Sequence, residues 1–503
     1  MRRVARVACF ALVAVSLVLG AVMRTGSERS PTDAIRVGIA TAPLTLDPRY
    51  ATDAMSARVS RLLHRSLVEF DAAAHALPGL ADWRMRDARH YRFTLHDGLH
   101  FSDGSLLTAA DIVATYRAVL DPAIASPLRA ALHNIAAVQA VDDRTIDFEL
   151  RQADGLFPAT LGIGVMAAAD ARVARDRWHL ASGPFSREAW HSTGNVSLRR
   201  RADGARVELL VVKDASVRAL KLIAGELDIA QGNVPPETLA WLAERRGLRV
   251  VEHAGTTFSY LGFNLDHPAL SDQRVRDAIS HAIDRKAVVH YLFRDHAQPA
   301  ASLLPPQHWA AAPDLPVPSY DPERARALLA AAGYGEPPLR LHFKTSADAF
   351  RVRLATLLQS QLAAVGIDLV IESLDWATFY ADVGAGRFEI YSLSWVGLKL
   401  PDIYRQAFHS SAQPPLGLNR GHYHEVQMDA LIEAAEREPT ASRQRVLYHA
   451  IARRLLYDLP YVPLWFETQS AVLRADIDGY AVDADGSFDA LTKVKRVKSD
   501  ARF

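Results

Sequence analysis

The stretch YRFTLHDGLHFSDGSLLTAADIVATY, Tyr91 to Tyr116, holds a strand, two turns and the start of a helix. Tyr91, Phe93 and Leu95 alternate with Arg92, Thr94 and His96, the period of two of a half-buried strand. Asp97-Gly98 is a turn pair, after which Leu99 and Phe101 face inward and His100 and Ser102 outward. A three-residue loop keeps the faces matched, pairing Leu95 with Phe101 and His96 with His100 on the wet side. Asp103-Gly104 predicts a second turn, and Thr108 with Asp111 a capping box opening a helix over Ala109 to Leu120. The run His96 to Gly104 carries two histidines and two aspartates, yet a metal clip at His96 and His100 lacks a third ligand, whereas turn chemistry accounts for nearly every residue.

Outward from this stretch, 503 residues amount to about three typical domains, enough for two or three lobes with ample core. The 58 Lys and Arg nearly cancel the 57 Asp and Glu, so no global field points to nucleic acid. The N-terminus differs in kind. Arg2, Arg3 and Arg6 precede an apolar run from Val7 to Met23, followed by Gly26, Ser27, Ser30 and Pro31. That order of charge, apolar core and small residues is an export signal over residues 1–30, cleaved or retained as an anchor. Cys9 is the only cysteine and lies early in the run, so a chain cleaved after it has no disulfide, thiolate nucleophile or cysteine metal site.

Downstream, helices alternate with strands, which implies an α/β architecture with mixed sheets. From Ser271, Val275, Ala278, Ile279, Ala282 and Ile283 fall at helical spacing, with Arg274, Arg276 and Asp277 outward and Asp284 capping a following turn. In DPERARALLAAAGY, Asp321 suits the N-cap, Pro322 the first helical position and Gly333 the left-handed residue beyond the end. A helix over Phe350 to Val365 stops at Gly366, and Ile367, Leu369 and Ile371 then alternate as a strand.

The opening stretch, preceded by LHRSLVEFD and LPGLADW, resembles the signature of extracellular solute-binding protein family 5, the large receptors of peptide and nickel importers. The resemblance continues in order through YLGFN, SDQRVRDAISHAIDRKAVV, DPERARALLAAAGY, LQSQLAAVGIDLVIESLDW and LPYVPLW. It implies a two-lobed periplasmic-binding-protein-like fold of type II, in the large cluster with an extra subdomain, with mixed β-sheets flanked by helices. The implied crossings lie near Tyr260 to Asn264 and just after Tyr461 to Phe466. Residues 31–259 plus 471–503 would form the first lobe and 260–470 the second. No helix-turn-helix of the regulatory relatives precedes this module, and no internal repeat is evident.

Catalytic patterns are nearly absent. There is no Gly-x-Ser-x-Gly elbow and no phosphate loop. Gly162-Ile163-Gly164 with Ala167 imitates a dinucleotide turn, without strand, helix and acid to frame it. In His424-Glu425-Val426-Gln427-Met428, Met428 stands where a zincin needs its second histidine, and His422 and His424 read as surface histidines. Binding therefore outranks catalysis, and no cofactor is expected. Phe388 to Trp395 reads as a strand ending at Val396-Gly397, and ligands in α/β sheets sit beyond the carboxyl ends of strands, which makes Trp395 a candidate cleft wall. Asn419, Arg420 and Tyr423 lie in PPLGLNRGHY, and this segment with PDIYRQAFHSS resembles the loop that covers ligands in the family. Tyr260 and Asn264 join the site from the implied crossing.

One departure bears on the substrate. Peptide-binding relatives carry an aspartate before the proline of this loop, where it pairs with the peptide ammonium, whereas this chain has Leu398-Lys399-Leu400-Pro401. An ammonium buried opposite leucine pays a desolvation cost of several kcal/mol. Asp402 is the candidate substitute. Of Arg351 and Arg353, Arg353 falls where dipeptide-binding relatives place a carboxylate-binding arginine. The expectation is a monomeric periplasmic receptor that captures a peptide or peptide-like solute by lobe closure and delivers it to an inner-membrane ABC permease. Capture of a nickel chelate or haem, and a secreted hydrolase, are the alternatives.

Overall fold

The computed structural model describes residues 34–415 and 417–497. The arginine-flanked apolar run and Cys9 lie outside them. One mixed sheet of eleven strands runs through the chain. From one edge its strands are Ile367–Leu374, Leu339–Ser346, Ile390–Trp395, Leu248–Phe263, Tyr461–Arg474, Ile229–Gln231, Ile35–Ile39, Arg206–Val211, Val196–Arg200 and Phe185–Trp190, with Ala297–Pro299 paired beside Tyr461–Arg474.

Two strands of 16 and 14 residues, Leu248–Phe263 and Tyr461–Arg474, tie the halves together. Ala471 and Leu473 pack in a core with Val37, Leu198, Leu209 and Ile229. Leu261, Phe263, Val462 and Leu464 pack in a second core with Leu341, Ile367 and Ile390. Between the two cores the antiparallel register breaks: His253 pairs with Gln469, but the next partners are Thr257 and Glu467. Gly255 sits in this break, where a Cβ would stand 2.0 Å from the Glu467 carbonyl oxygen, so only glycine allows that approach.

A separate four-stranded sheet, Ala81–Asp87, His90–Leu95, Thr145–Leu150 and Ile135–Ala140, packs under the helix Ala109–Leu120. Phe93, Ile112, Tyr116 and Phe148 centre its core. The Thr108/Asp111 capping box is present, as the spacing predicts. The hairpin is not. Both edges of His90–Leu95 are taken, one by the preceding strand Ala81–Asp87 across a tight turn and the other by the distant Thr145–Leu150, leaving no edge for residues 99–102. His96 instead reaches Asp82 at 3.4 Å, and His100 Nδ1 turns to the Gly98 carbonyl, so the two histidines do not form a pair.

Asp321 caps the helix Pro322–Ala331 and Gly333 has φ +89, as read from the sequence. The next helix is Ala349–Ala363, two residues shorter at its C-terminus than expected, with Gly366 at φ +94 leading into the strand Ile367–Leu374. Arg276 differs from its expected outward placement. It is buried, and its guanidinium donates to the carbonyls of Leu270, Ser271, Asp458 and Leu459, closing the end of the helix Ala441–Asp458.

Candidate functional site

Leu339–Ser346 runs parallel to both Ile367–Leu374 and Ile390–Trp395, so the carboxyl ends of all three strands lie at one edge of the second core. Trp395 ends its strand there and stacks on buried Tyr260, with ring centroids 6.2 Å apart and planes 12° apart. Tyr260 in turn stacks on Tyr461 at 4.1 Å. Arg420 places its guanidinium 5.5 Å from the Trp395 ring centroid and 5.2 Å from that of Tyr380, and donates from Nη2 to the Tyr380 hydroxyl at 3.0 Å. It is 5% exposed, and no carboxylate among the described residues pairs with it. Burial acts to lower its pKa and the coulombic influence of Tyr260, Tyr391, Tyr461 and Tyr380 to raise it, with a net upward direction, and as an arginine it stays charged at ordinary pH. The Trp395 indole N–H is buried beside it with no acceptor.

Trp395, Tyr260 and Arg420 thus come together from distant parts of the chain, while the other expected site residues are engaged elsewhere. Asn419 is buried and bonds the Tyr423 backbone at both its N–H and its carbonyl, which fixes the loop. The Tyr423 hydroxyl donates to Asp458. Asn264 donates to the Phe388 carbonyl at 3.2 Å. Arg353 pairs with Glu237 at 3.0 Å on an exposed face. Its neighbour Arg351 turns inward to Glu467 at 3.0 Å, and the same Glu467 oxygen accepts from Ser259, which contacts Ser394 at 2.7 Å. Asp402 accepts from Gln406 at 2.7 Å, and burial pushes its carboxyl up to about 7. Among the histidines, His422 contacts Asp266 and His424 contacts Ser410.

The residues that sequence reasoning missed lie across from these. Lys399 reaches Asp485, Nζ to Oδ2 at 2.5 Å, with its ammonium 5.5 Å from the Phe70 ring centroid. Arg61 approaches the same carboxylate at 3.4 Å, and Arg58 donates to the Asp485 carbonyl at 3.1 Å. Burial would raise the Asp485 carboxyl, but Lys399 and Arg61 hold it below the ordinary range, so the pair is ionic. Beside Phe70 opens a cavity of about 220 Å³, lined among others by Arg61, His64, Arg65, Glu69 and Asp489. Burial lowers His64 to about 4, which keeps it neutral. Lys399 stands next to Leu400 in the loop already singled out for its missing aspartate, and that juxtaposition was the available signal.

Chemically, this arrangement can hold and orient a polar ligand between aromatic faces and fixed charges. Residues 75–413 match the family model described as bacterial extracellular solute-binding proteins, family 5 Middle. The chain is 28% identical over 474 residues to the "Probable di/tripeptide-binding protein 5" of Pseudomonas aeruginosa, covering 85% of this chain and 89% of that one. It is 27% identical to the glutathione-binding protein GsiB of Salmonella typhi, covering 88% and 91%. The crystal structure of NikZ from Campylobacter jejuni in complex with Ni(L-His) superposes with a TM-score of 0.82 at 21% identity, over 93% of this chain and 100% of that one. With its mixed sheet, two cores and two shared strands, this chain belongs to the bacterial extracellular solute-binding proteins of family 5, the two-lobed receptors of ABC importers.

Proposed function

We propose that this chain captures a short peptide or peptide-like solute between its lobes and presents it, as a monomer in the periplasm, to an inner-membrane ABC permease. The lobes in this reading are residues 31–259 plus 471–503 and residues 260–470, hinged where the long strands break register. The observation that carries it is the Lys399–Asp485 bridge, which joins a loop beyond the second core to a segment after the long strand Tyr461–Arg474, beside a polar cavity of about 220 Å³. The names of the relatives, a di/tripeptide-binding and a glutathione-binding protein, point the same way.

Trp395 and Arg420 form the ligand wall, with Tyr260 behind them. Asn264, Asn419 and Tyr423 hold the covering loop, and Arg353 and Asp402 stand at the margins. Binding is the whole activity in this reading, and the Ser66 hydroxyl that lines the cavity donates to the Val68 carbonyl and not to the neighbouring His64. Ligand favours the closed form by contacts that both lobes make only there. Retention of the apolar N-terminal run would tether the receptor to the membrane. Native mass spectrometry of the purified mature protein, before and after mild unfolding, tests the reading. A ladder of short-peptide masses is the expected result; a single non-peptide or metal-containing mass would overturn it.

A further inference from the structure

Six arginines are buried among the described residues, and five have guanidinium groups that each make at least three hydrogen bonds, although the Arg218 Nε is unpartnered. Arg49 is held by Asp47 and the Ala171 carbonyl, and Arg200 by Asp203 with two carbonyls. Arg218, Arg276 and Arg285 each donate to three or more carbonyls. Arg420 is the exception: its side chain has one hydroxyl, that of Tyr380, for its five N–H donors. A guanidinium removed from water without a counter-charge is costly, and stacking on Trp395 and Tyr380 offsets only part of that cost. Beside it the Trp395 indole N–H is also buried and unpartnered. The two groups together are a set of unspent donors with no acceptor in the protein.

In the loop where the family resemblance implies an acid for a peptide ammonium, this chain has Leu400, and the adjacent Lys399 carries an ammonium of the protein's own, already paired with Asp485. A ligand ammonium placed there meets a cation and a satisfied carboxylate. Tyr380 is 45% exposed and Trp376, stacked on it at 5.5 Å, is 59% exposed, so the aromatic ladder that carries Arg420 opens to solvent.

We infer that the cleft recognises its ligand by a free carboxylate, taken by the Arg420 guanidinium and the Trp395 indole N–H, and does not require a free amino terminus. This rests on the reading of the cleft as a site for short peptides, and names the class of ligand it selects. A guanidinium lying over the Trp395 and Tyr380 rings, with only Nη2 spent on the Tyr380 hydroxyl, keeps N–H donors for a carboxylate, the planar recognition for which arginine is suited and lysine is not.

The test is calorimetric titration of refolded, ligand-stripped mature protein with Ala-Leu, N-acetyl-Ala-Leu, Ala-Leu-amide and succinate. Amidation is expected to weaken binding at least about 30-fold and N-acetylation less than about 3-fold. In Arg420→Met the amidation factor is expected to fall below about 3, with the thermal midpoint and near-ultraviolet spectrum retained. Should Arg420→Met fail to fold, Arg420→Lys keeps the charge without the fork, and an intermediate amidation factor is expected. A larger loss on N-acetylation than on amidation, or an amidation factor unchanged in the folded variant, overturns the inference. Succinate binding that is lost in Arg420→Met, with none of the three peptides bound, keeps the carboxylate site and sinks the peptide reading. Binding by none of the four sinks both.

Discussion

At Asp402 a half-buried carboxyl stands near Glu436 and Asp154, and burial pushes it up to about 7, with those two acids adding to the rise against the Gln406 hydrogen bond. In the unfolded chain the same group ionises near 3.8. Between about pH 4 and 7 the folded state therefore keeps a proton that the unfolded state has released, so this group's contribution is intact below about pH 4 and is lost as pH rises toward 7. Asp402→Asn keeps the bond to Gln406 and removes the ionisation. Urea melts are expected to show the variant more stable at pH 7.5, by roughly 2 kcal/mol, and indistinguishable near pH 4; equal differences at both pH values would refute the assignment. Arg276→Met makes the contrasting case. It leaves four backbone carbonyls without their donor, two at the end of the helix Ala441–Asp458 and two at Leu270 and Ser271, and a loss of at least about 3 kcal/mol is expected in the same melts. Sequence alone read Arg276 as outward because helical spacing assigns a face, and an arginine on that face can either reach water or fold under a neighbouring helix end. The same ambiguity surrounds Arg420, whose loop position between Gly417 and Gly421 gave no sign that its charge would be enclosed by aromatic rings.

Elements governed by local chemistry were legible and those governed by distant partners were not. The helix Ala109–Leu120 begins and ends where its capping box and apolar spacing place it, because every group involved lies within a few residues. The supposed hairpin after Leu95 failed although its alternation was sound, because alternation states which face is buried and not which strand supplies the hydrogen bonds; here Thr145–Leu150, far along the chain, took the edge. The crossing strands make the same point through Gly255, whose need for glycine comes from the Glu467 carbonyl on the opposite strand. Gly255→Ala is expected to cost roughly 2–3 kcal/mol, since the obstructing atom is backbone and cannot swing aside. Gly384→Ala, in open space at the end of the helix Trp376–Gly384, is expected to be neutral or stabilising by up to about 1 kcal/mol. Thermal melts of the two variants check both, and a tolerated Gly255→Ala would show that the two strands can separate at the break without penalty.

Across the whole molecule, the family and its two-lobed fold could be read from ordered strings because each string builds one local element, and their order fixes the sheet. The charge arrangement of the cleft could not, because Arg61, Lys399 and Asp485 come from three remote segments and meet only in the folded chain. Their meeting has a consequence for closure. Lys399 lies in the loop after the strand Ile390–Trp395, and Asp485 lies beyond the end of Tyr461–Arg474, so the bridge spans the two sides of the proposed cleft. Both side chains are largely buried, at 24% and 17% exposure, so solvent screens the pair less than a surface bridge, and about 1 kcal/mol in favour of the closed arrangement is a fair magnitude. Lys399→Met leaves Asp485 with Arg61 alone and shifts the closed-to-open ratio of the ligand-free protein about 5-fold toward open. Small-angle scattering is expected to give the variant a larger radius of gyration than the parent chain at low salt. The difference should narrow near about 0.5 M sodium chloride, where screening weakens the bridge in the parent chain as well. Identical radii at every salt concentration would mean that the bridge forms without biasing closure, and that the ligand alone supplies the free energy that brings the lobes together.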